Sequence, residues 1–262
     1  CDIDATLVNE KKALTPRTKK NLIQLHEKGI YFGIASGRPA DELKRNKEYW
    51  DLPFDFDFVV GMNGAELWDG VHQKFYSYFM MQKEWLKETM EIMKVVKCNP
   101  MIYWDGKIRC VHIDDWMIHS ASTSHKELEI VKLEDFYAHE NAKIMFRMKE
   151  EDMPKAEAGV KEHPNPYYHG FKTQSTLLEF CDKRINKGYG LKKICELNDL
   201  DIEDVMAFGD TSNDNDMLKV AGCGVCMING TDDTKACANA ITKQDNDHDG
   251  LAIYLEESGI LC

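Results

Sequence analysis

Residues 204–218 read DVMAFGDTSNDNDML. A short apolar run stops at a glycine, a polar acidic turn follows, and a helical pattern starts. The same arrangement recurs. YFGIASGRP (31–39) is an apolar run that breaks at Ser36-Gly37-Arg38, and FDFVVGMNGAEL (56–67) breaks at Met62-Asn63-Gly64. CGVCMI (223–228) is another short apolar strand. These runs are continuous, without the alternation of a half-exposed strand. Between them lie helical stretches at 14–29 and 187–200. The first has Thr15 as N-cap, Pro16 at its first position and Gly29 as its stop. Strand–helix–strand order with apolar strands predicts a parallel sheet covered on both faces.

The middle of the chain has a different texture. An amphipathic helix is expected over 82–96, and a hairpin over 101–113 with Asp105-Gly106 at its turn. A strand at 142–148, a helix at 152–163 and a strand at 176–180 follow. The expected organisation is therefore an α/β core, residues 1–76 and 185–262, interrupted by an inserted α/β domain of α+β flavour, residues 77–184. With 262 residues the chain is long enough for this. It can bury roughly 70–75% of its unfolded surface, so it needs no cross-links. The net charge of −12 argues against nucleic-acid or anionic-membrane partners. No apolar run approaches the ~18 residues of a membrane span. Nine cysteines in apolar contexts, with no secretory signal ahead of them, read as reduced thiols in a cytoplasmic protein.

Polar residues stand at the ends of the apolar runs. The chain opens CDIDATLVNE, with Asp2 and Asp4 one residue apart. Ser36, Lys187 at a helix start, and Asp210 with Asp214 complete the set. In an open parallel sheet the carboxyl ends of the strands share one crevice, where ligands bind. Several carboxylates meeting there with one lysine would repel. A pair ~4 Å apart costs ~1 kcal/mol in water and ~4 at an effective dielectric near 20. A divalent cation relieves this, and a sparse set of hard oxygen ligands suits Mg²⁺, which keeps waters and a substrate phosphate.

The stretches DIDAT, IASGR, NKG and FGDTSND, in that order, resemble the four motifs of the haloacid dehalogenase superfamily. The insertion resembles the cap of its Cof-type, sugar-phosphatase-like branch, and the resemblance spans almost the whole chain. It implies a Rossmann-like core with an inserted cap domain that closes over the crevice. It implies a Mg²⁺-dependent phosphatase acting on small phosphorylated metabolites, sugar phosphates first among them. Asp2 would be the nucleophile that forms an aspartyl-phosphate, and Asp4 the general acid/base. Asp4 also separates the chain from relatives that cleave carbon–halogen bonds or phosphonates, which lack that acid. Ser36 and Gly37 would hold the phosphoryl oxygens, and Lys187 would neutralise charge on nucleophile and phosphoryl group. Mg²⁺ would sit on the Asp2 side chain, the Asp4 carbonyl and the Asp210 side chain, with Asp214 supporting through water. Asn63, Gly64 and Asn213 would be further phosphate or substrate contacts. Arg38 reads as structural.

The sequence departs from the pattern in three places. Ala5 stands where glycine is usual, which puts the backbone beside Asp4 in question. Ile228-Asn229-Gly230 replaces the usual Gly-Asn-Ala. Only Cys1 precedes Asp2, so the sheet is expected to lack the apolar part of its middle strand, leaving Asp2 untethered. Two competing motifs remain. Asp245, Asp247, Asp249, Gly250 and Glu256 have calcium-loop spacing but no convincing entering helix. Cys223 and Cys226 form a C-x-x-C on a strand, where such positions face opposite ways. A phosphomutase of the same superfamily and a non-catalytic calcium-binding module are the alternative readings. Tyr103, Trp104 and Asp105 of the central hairpin read as packing residues more than as substrate contacts.

Overall fold

A computed structural model describes residues 1–261. It divides into two units, Cys1–Tyr76 with Asn186–Cys262, and Ser77–Ile185.

In the first unit the chain runs from Cys1 into α1 (Pro16–Glu27), β1 (Gly33–Ala35), α2 (Ala40–Lys44), α3 (Asn46–Tyr49), β2 (Phe58–Gly61), β3 (Glu66–Asp69) and β4 (Lys74–Ser77). The Thr15 hydroxyl caps α1 by accepting from the Thr18 amide at 3.1 Å, and Gly29 takes φ +73° just past the helix end. Strands β1 and β2 pair parallel, with Ala35 opposite Val60, while β3 returns antiparallel. Ile34, Val59 and Val60 are buried, as sandwiched parallel strands require.

The inserted unit contains α4 (Lys83–Ile92), β5 (Cys98–Trp104), β6 (Lys107–Cys110), α5 (Asp115–Ser124), β7 (Glu127–Ile130), β8 (Lys143–Met148), α6 (Met153–Glu162), β9 (Tyr168–Gln174) and β10 (Leu177–Asp182). Its sheet runs β7-β6-β5-β8-β10-β9, antiparallel except for the β6–β7 pair. One face packs Ile102, Ile144, Phe146 and Phe180 against Leu86 of α4 and Met153 of α6. The other packs Met101, Ile108 and Met145 against Met117 of α5. Every residue of β8 is buried, including Lys143 and Arg147. Their charged ends are satisfied by Glu179 at 2.9 Å and Gln174 at 2.7 Å.

The chain then returns through α7 (Lys187–Leu197), β11 (Met206–Gly209), α8 (Asn215–Val220), β12 (Cys223–Cys226), α9 (Asp232–Cys237), β13 (Ala240–Ile241) and α10 (Gly250–Glu257). β11, β12 and β13 pair parallel. The first residues join this sheet to the β1–β4 sheet. The Cys1 backbone nitrogen donates to Gly33 O at 2.9 Å and its carbonyl accepts from the Ala35 amide at 2.8 Å, while the Asp2 amide donates to Phe208 O at 2.9 Å. Asp2 is therefore held from both sides, contrary to the expectation that it would be untethered. An apolar cavity of about 360 Å³ adjoins Cys1 and is lined by Leu22, Ile30, Phe32, Met206 and Phe208. Among the described residues no helix is long and apolar enough to cross a membrane.

Candidate active site

Three strand ends deliver the site. Asp2 lies between β1 and β11, Ser36 follows β1, and Asp210 follows β11. Each strand stops where its apolar run stops, so polar side chains collect at one edge of the sheet. Lys187 arrives from elsewhere, as the first residue of α7. The Asn186 side chain caps that helix by accepting from the Tyr189 amide at 2.7 Å.

Four of the expected residues converge. Lys187 is 1% exposed, and its Nζ donates to Asp2 Oδ1 and to Asp214 Oδ1, each at 2.6 Å. Asp2, Asp210 and Asp214 are all buried and each offers a carboxylate oxygen within 4.8 Å of the others. The other oxygen of Asp214 accepts from the amides of Asp210 at 3.0 Å and Thr211 at 3.2 Å. Asp214 thus ties the lysine to the turn after β11. Asp210 Oδ1 accepts from the Thr6 hydroxyl at 3.0 Å.

The electrostatics follow from three buried carboxylates against one ammonium. Burial, then the Asp2 and Asp214 charges, push the Asp210 carboxyl up to about 7. Burial also raises Asp2, against the pull of Lys187. For Lys187 burial alone would lower the ammonium, but Asp2 and Asp214 outweigh it and hold the group above its ordinary value. The surplus negative charge and the absence of nitrogen or sulfur donors in the cluster match a hard divalent cation. Asp2 and Asp210 have the oxygens to hold one.

Asp4 points elsewhere. Its carboxylate accepts from Arg38 Nη2 at 2.6 Å and from Lys12 Nζ at 2.7 Å. Burial would raise this carboxyl, but Arg38 and Lys12 together hold it below the usual range. Arg38, read from sequence as structural, is thus bound to a candidate acid/base. Ser36 is buried, and its Oγ accepts from the Arg38 amide at 3.4 Å. Its carbonyl accepts from the Asn63 amide at 3.0 Å. The Asn63 side chain lies so close to Gly37 that a Cβ there would meet it at 3.3 Å. Ser36, Gly37 and Asn63 therefore form one cluster. Gly64 packs on Asn186 at the start of α7, where a Cβ would come within 2.4 Å of the Asn186 carbonyl oxygen. Asn213 is exposed and accepts from the Thr211 hydroxyl at 2.7 Å.

Ala5 adopts the left-handed conformation, φ +58°, that glycine would take freely. Asn229 supports it, donating its side-chain amide to Ala5 O at 2.8 Å. Thr6 and Lys12 are not among the residues expected from the sequence, and Asn229 enters there only within the Ile228-Asn229-Gly230 triplet. Thr6 lies inside the DIDAT stretch, whereas no spacing rule points to Lys12.

The competing motifs are otherwise engaged. Asp245 caps the turn after it, accepting from the amides of Asp247 at 3.0 Å and His248 at 2.9 Å. Asp247 accepts from the Glu10 amide at 2.8 Å, Asp249 from the Thr15 hydroxyl, and Glu256 from Arg17. These carboxylates fasten α10 to α1 and to the 9–13 loop. Cys223 and Cys226 are free thiols on β12, and burial pushes Cys226 up to about 11.

Residues 1–255 match the family described as haloacid dehalogenase-like hydrolase. Two Bacillus subtilis proteins are similar over nearly their full length, both named 5-amino-6-(5-phospho-D-ribitylamino)uracil phosphatase. YcsE is 30% identical over 251 residues, covering 96% of this chain and 91% of its own. YitU is 26% identical over 266 residues, covering 98% and 95%. Among solved structures, a haloacid dehalogenase-like hydrolase from Bacteroides thetaiotaomicron superposes with a TM-score of 0.87 at 25% identity, covering 98% of this chain and 97% of its own.

Proposed function

We propose a reaction for this chain, which belongs to the haloacid dehalogenase-like hydrolase family and is a phosphatase. The reaction is Mg²⁺-dependent hydrolysis of phosphate monoesters of small metabolites through an aspartyl-phosphate on Asp2. A carboxylate oxygen of Asp2 forms a bond to phosphorus as the bond to the leaving oxygen breaks, and Asp4, which Arg38 and Lys12 hold ionised in the free enzyme and which therefore takes up a proton as the phosphate ester binds, gives that oxygen its proton. Asp4, now a carboxylate, takes a proton from water as the water attacks phosphorus. Asp2 is released and inorganic phosphate leaves.

Lys187 holds Asp2 in place and offsets the charge that would otherwise repel an incoming phosphate dianion. Ser36, Gly37 and Asn63 receive the phosphoryl oxygens, with Asn213 and the Gly64 turn beside them. Asp2, the Asp4 carbonyl and Asp210 would hold Mg²⁺, with Asp214 bracing Lys187 and supporting the ion through water. A bound Mg²⁺ supplies further charge neutralisation for the transferring group. The inserted unit is assigned the choice of leaving group, because the residues named here address only phosphate. Its free cysteines suit a reducing cytoplasm.

The observation that carries this reading is the buried Lys187 bridging Asp2 and Asp214 at 2.6 Å each, with Asp210 in the same cluster. The two Bacillus relatives, named for a phosphorylated ribityl compound, support sugar-phosphate-like substrates and make that compound the first to try. A panel of sugar and nucleotide phosphates with Mg²⁺ tests the reading. Asp2→Asn is expected to lose at least ~10³-fold in turnover, the scale of nucleophile knockouts. Retained turnover in that variant would refute the covalent route.

A further inference from the structure

Arg38 stands between two carboxylates. Its Nη2 reaches Asp4 Oδ2 at 2.6 Å, and its Nη1 lies 3.8 Å from Glu42 Oε1. Glu42 is one helical turn further on, in α2, and is 6% exposed. A carboxyl group in the first turn of a five-residue helix is an expensive choice for a buried position, and a neighbouring cation offsets that cost when the group is ionised. The Arg38 backbone is fixed as well. Its carbonyl accepts from the Met62 amide at 2.8 Å, and its amide donates to Ser36 Oγ at 3.4 Å. The Arg38 backbone is thus held by Ser36 and Met62, and its guanidinium lies between the Asp4 carboxylate at hydrogen-bond distance and the buried Glu42 carboxylate at ion-pair distance. The second cation on Asp4 is of another kind. The Lys12 side chain is 67% exposed, on a stem that pays side-chain entropy to stay, and such pairs contribute little.

We propose that Glu42 is a positioning residue which, acting through Arg38, fixes the direction in which the Asp4 carboxyl faces. This rests on the reading of Asp4 as the group that protonates the leaving oxygen. Glu42 itself touches neither phosphate nor ion. Its removal loosens the guanidinium, and Asp4 then meets the leaving oxygen less often in the right geometry, while nucleophilic attack by Asp2 is unchanged. Lys12, by contrast, can leave Asp4 at small cost.

The signature of this role is dependence on the leaving group. An alkyl alcohol needs its proton as the P–O bond breaks, whereas p-nitrophenolate leaves without one. The comparison is of kcat/KM, which reports the step up to phosphoryl transfer whichever later step limits turnover. Wild type, Glu42→Gln, Arg38→Lys and Asp4→Asn are assayed with p-nitrophenyl phosphate and with the best alkyl phosphate of the panel. Asp4→Asn is expected to lose ~10²-fold or more on the alkyl ester and much less on the aryl ester, the range general acids supply. Glu42→Gln is expected to lose ~10-fold on the alkyl ester and less than ~2-fold on the aryl ester, a fraction of that same range. Arg38→Lys should show the same selectivity, and it carries the test if Glu42→Gln fails to fold. Equal losses on both esters in Glu42→Gln, or no loss, beside a selective loss in Asp4→Asn, would overturn the proposal and leave Asp4 its role. Equal losses on both esters in Asp4→Asn would instead overturn the acid–base reading itself.

Discussion

At the scale of single residues, the site is organised by one buried ammonium. Lys187 is surrounded by carboxylates that would each repel the others, and its two 2.6 Å contacts make them neighbours. Beside it, Ala5 tests how far a backbone can be pressed. An L-residue at φ +58° forgoes roughly 1–2 kcal/mol relative to its preferred conformations, and glycine does not. Glycine also has more freedom to lose on folding, which returns part of that gain. Ala5→Gly is therefore expected to stabilise the protein by about 0.5–1 kcal/mol with phosphatase activity kept, read as a rise in Tm. A fall in Tm would mean that the Ala5 methyl contributes packing that outweighs the strain. Asn229, the residue that Ile228-Asn229-Gly230 shares with the usual Gly-Asn-Ala, holds the Ala5 carbonyl at 2.8 Å.

At the scale of elements, the core was legible because its signals are local. Thr15, Pro16 and Gly29 bracket α1, and the buried runs at β1, β2, β11 and β12 are too apolar to be anything but covered strands. Lys187, Asp210 and Asp214 were legible for the same reason, since each follows or starts an element whose end is plain, whereas Asp2 was read from the DIDAT stretch alone. The inserted unit was legible in part. Helix α5 (DWMIHSASTS) escaped notice because it is rich in serine and threonine and leaves Trp116 and Ile118 exposed, so no clean apolar stripe forms. Strand β9 (YHGFKTQ) is an edge strand with a glycine and mostly polar residues, and it is recruited by its pairing with β10. The two cations on Asp4 were hidden because Lys12 and Arg38 lie 8 and 34 residues from it, and contacts of that kind are set by tertiary structure. The calcium-loop spacing at 245–256, which the want of an entering helix weighed against in the sequence, belongs to acidic residues that engage Glu10, Thr15 and Arg17.

At the scale of the molecule, the buried carboxylates make stability depend on pH and on any cation they bind. The metal-free fold keeps a proton on Asp210 up to about pH 7, whereas an unfolded chain gives it up near the ordinary value of 3.8. Between those values the folded state binds more protons, so this group's contribution to stability declines as pH rises from about 4 to about 7 and is flat above. The raised Asp2 acts in the same direction. A divalent cation that binds only the folded, ionised cluster removes this cost and adds its own binding free energy. The rise in Tm on replacing chelator by Mg²⁺ is accordingly expected to be larger at about pH 8 than at about pH 5, where protons compete for the same oxygens. An equal rise at both values, or one that persists in Asp210→Asn, would place the ion elsewhere.

The proposed reaction requires Asp2 to form a covalent bond to phosphorus. Rapid acid quench during turnover, followed by proteolysis and mass spectrometry, reads this directly. The predicted result is a phosphoryl group on the peptide that contains Asp2, located at Asp2, absent from Asp2→Asn and more abundant when hydrolysis is slowed by Asp4→Asn. A quenched enzyme that turns over substrate with no phosphoryl group on Asp2, under conditions that preserve acyl phosphates, would contradict it.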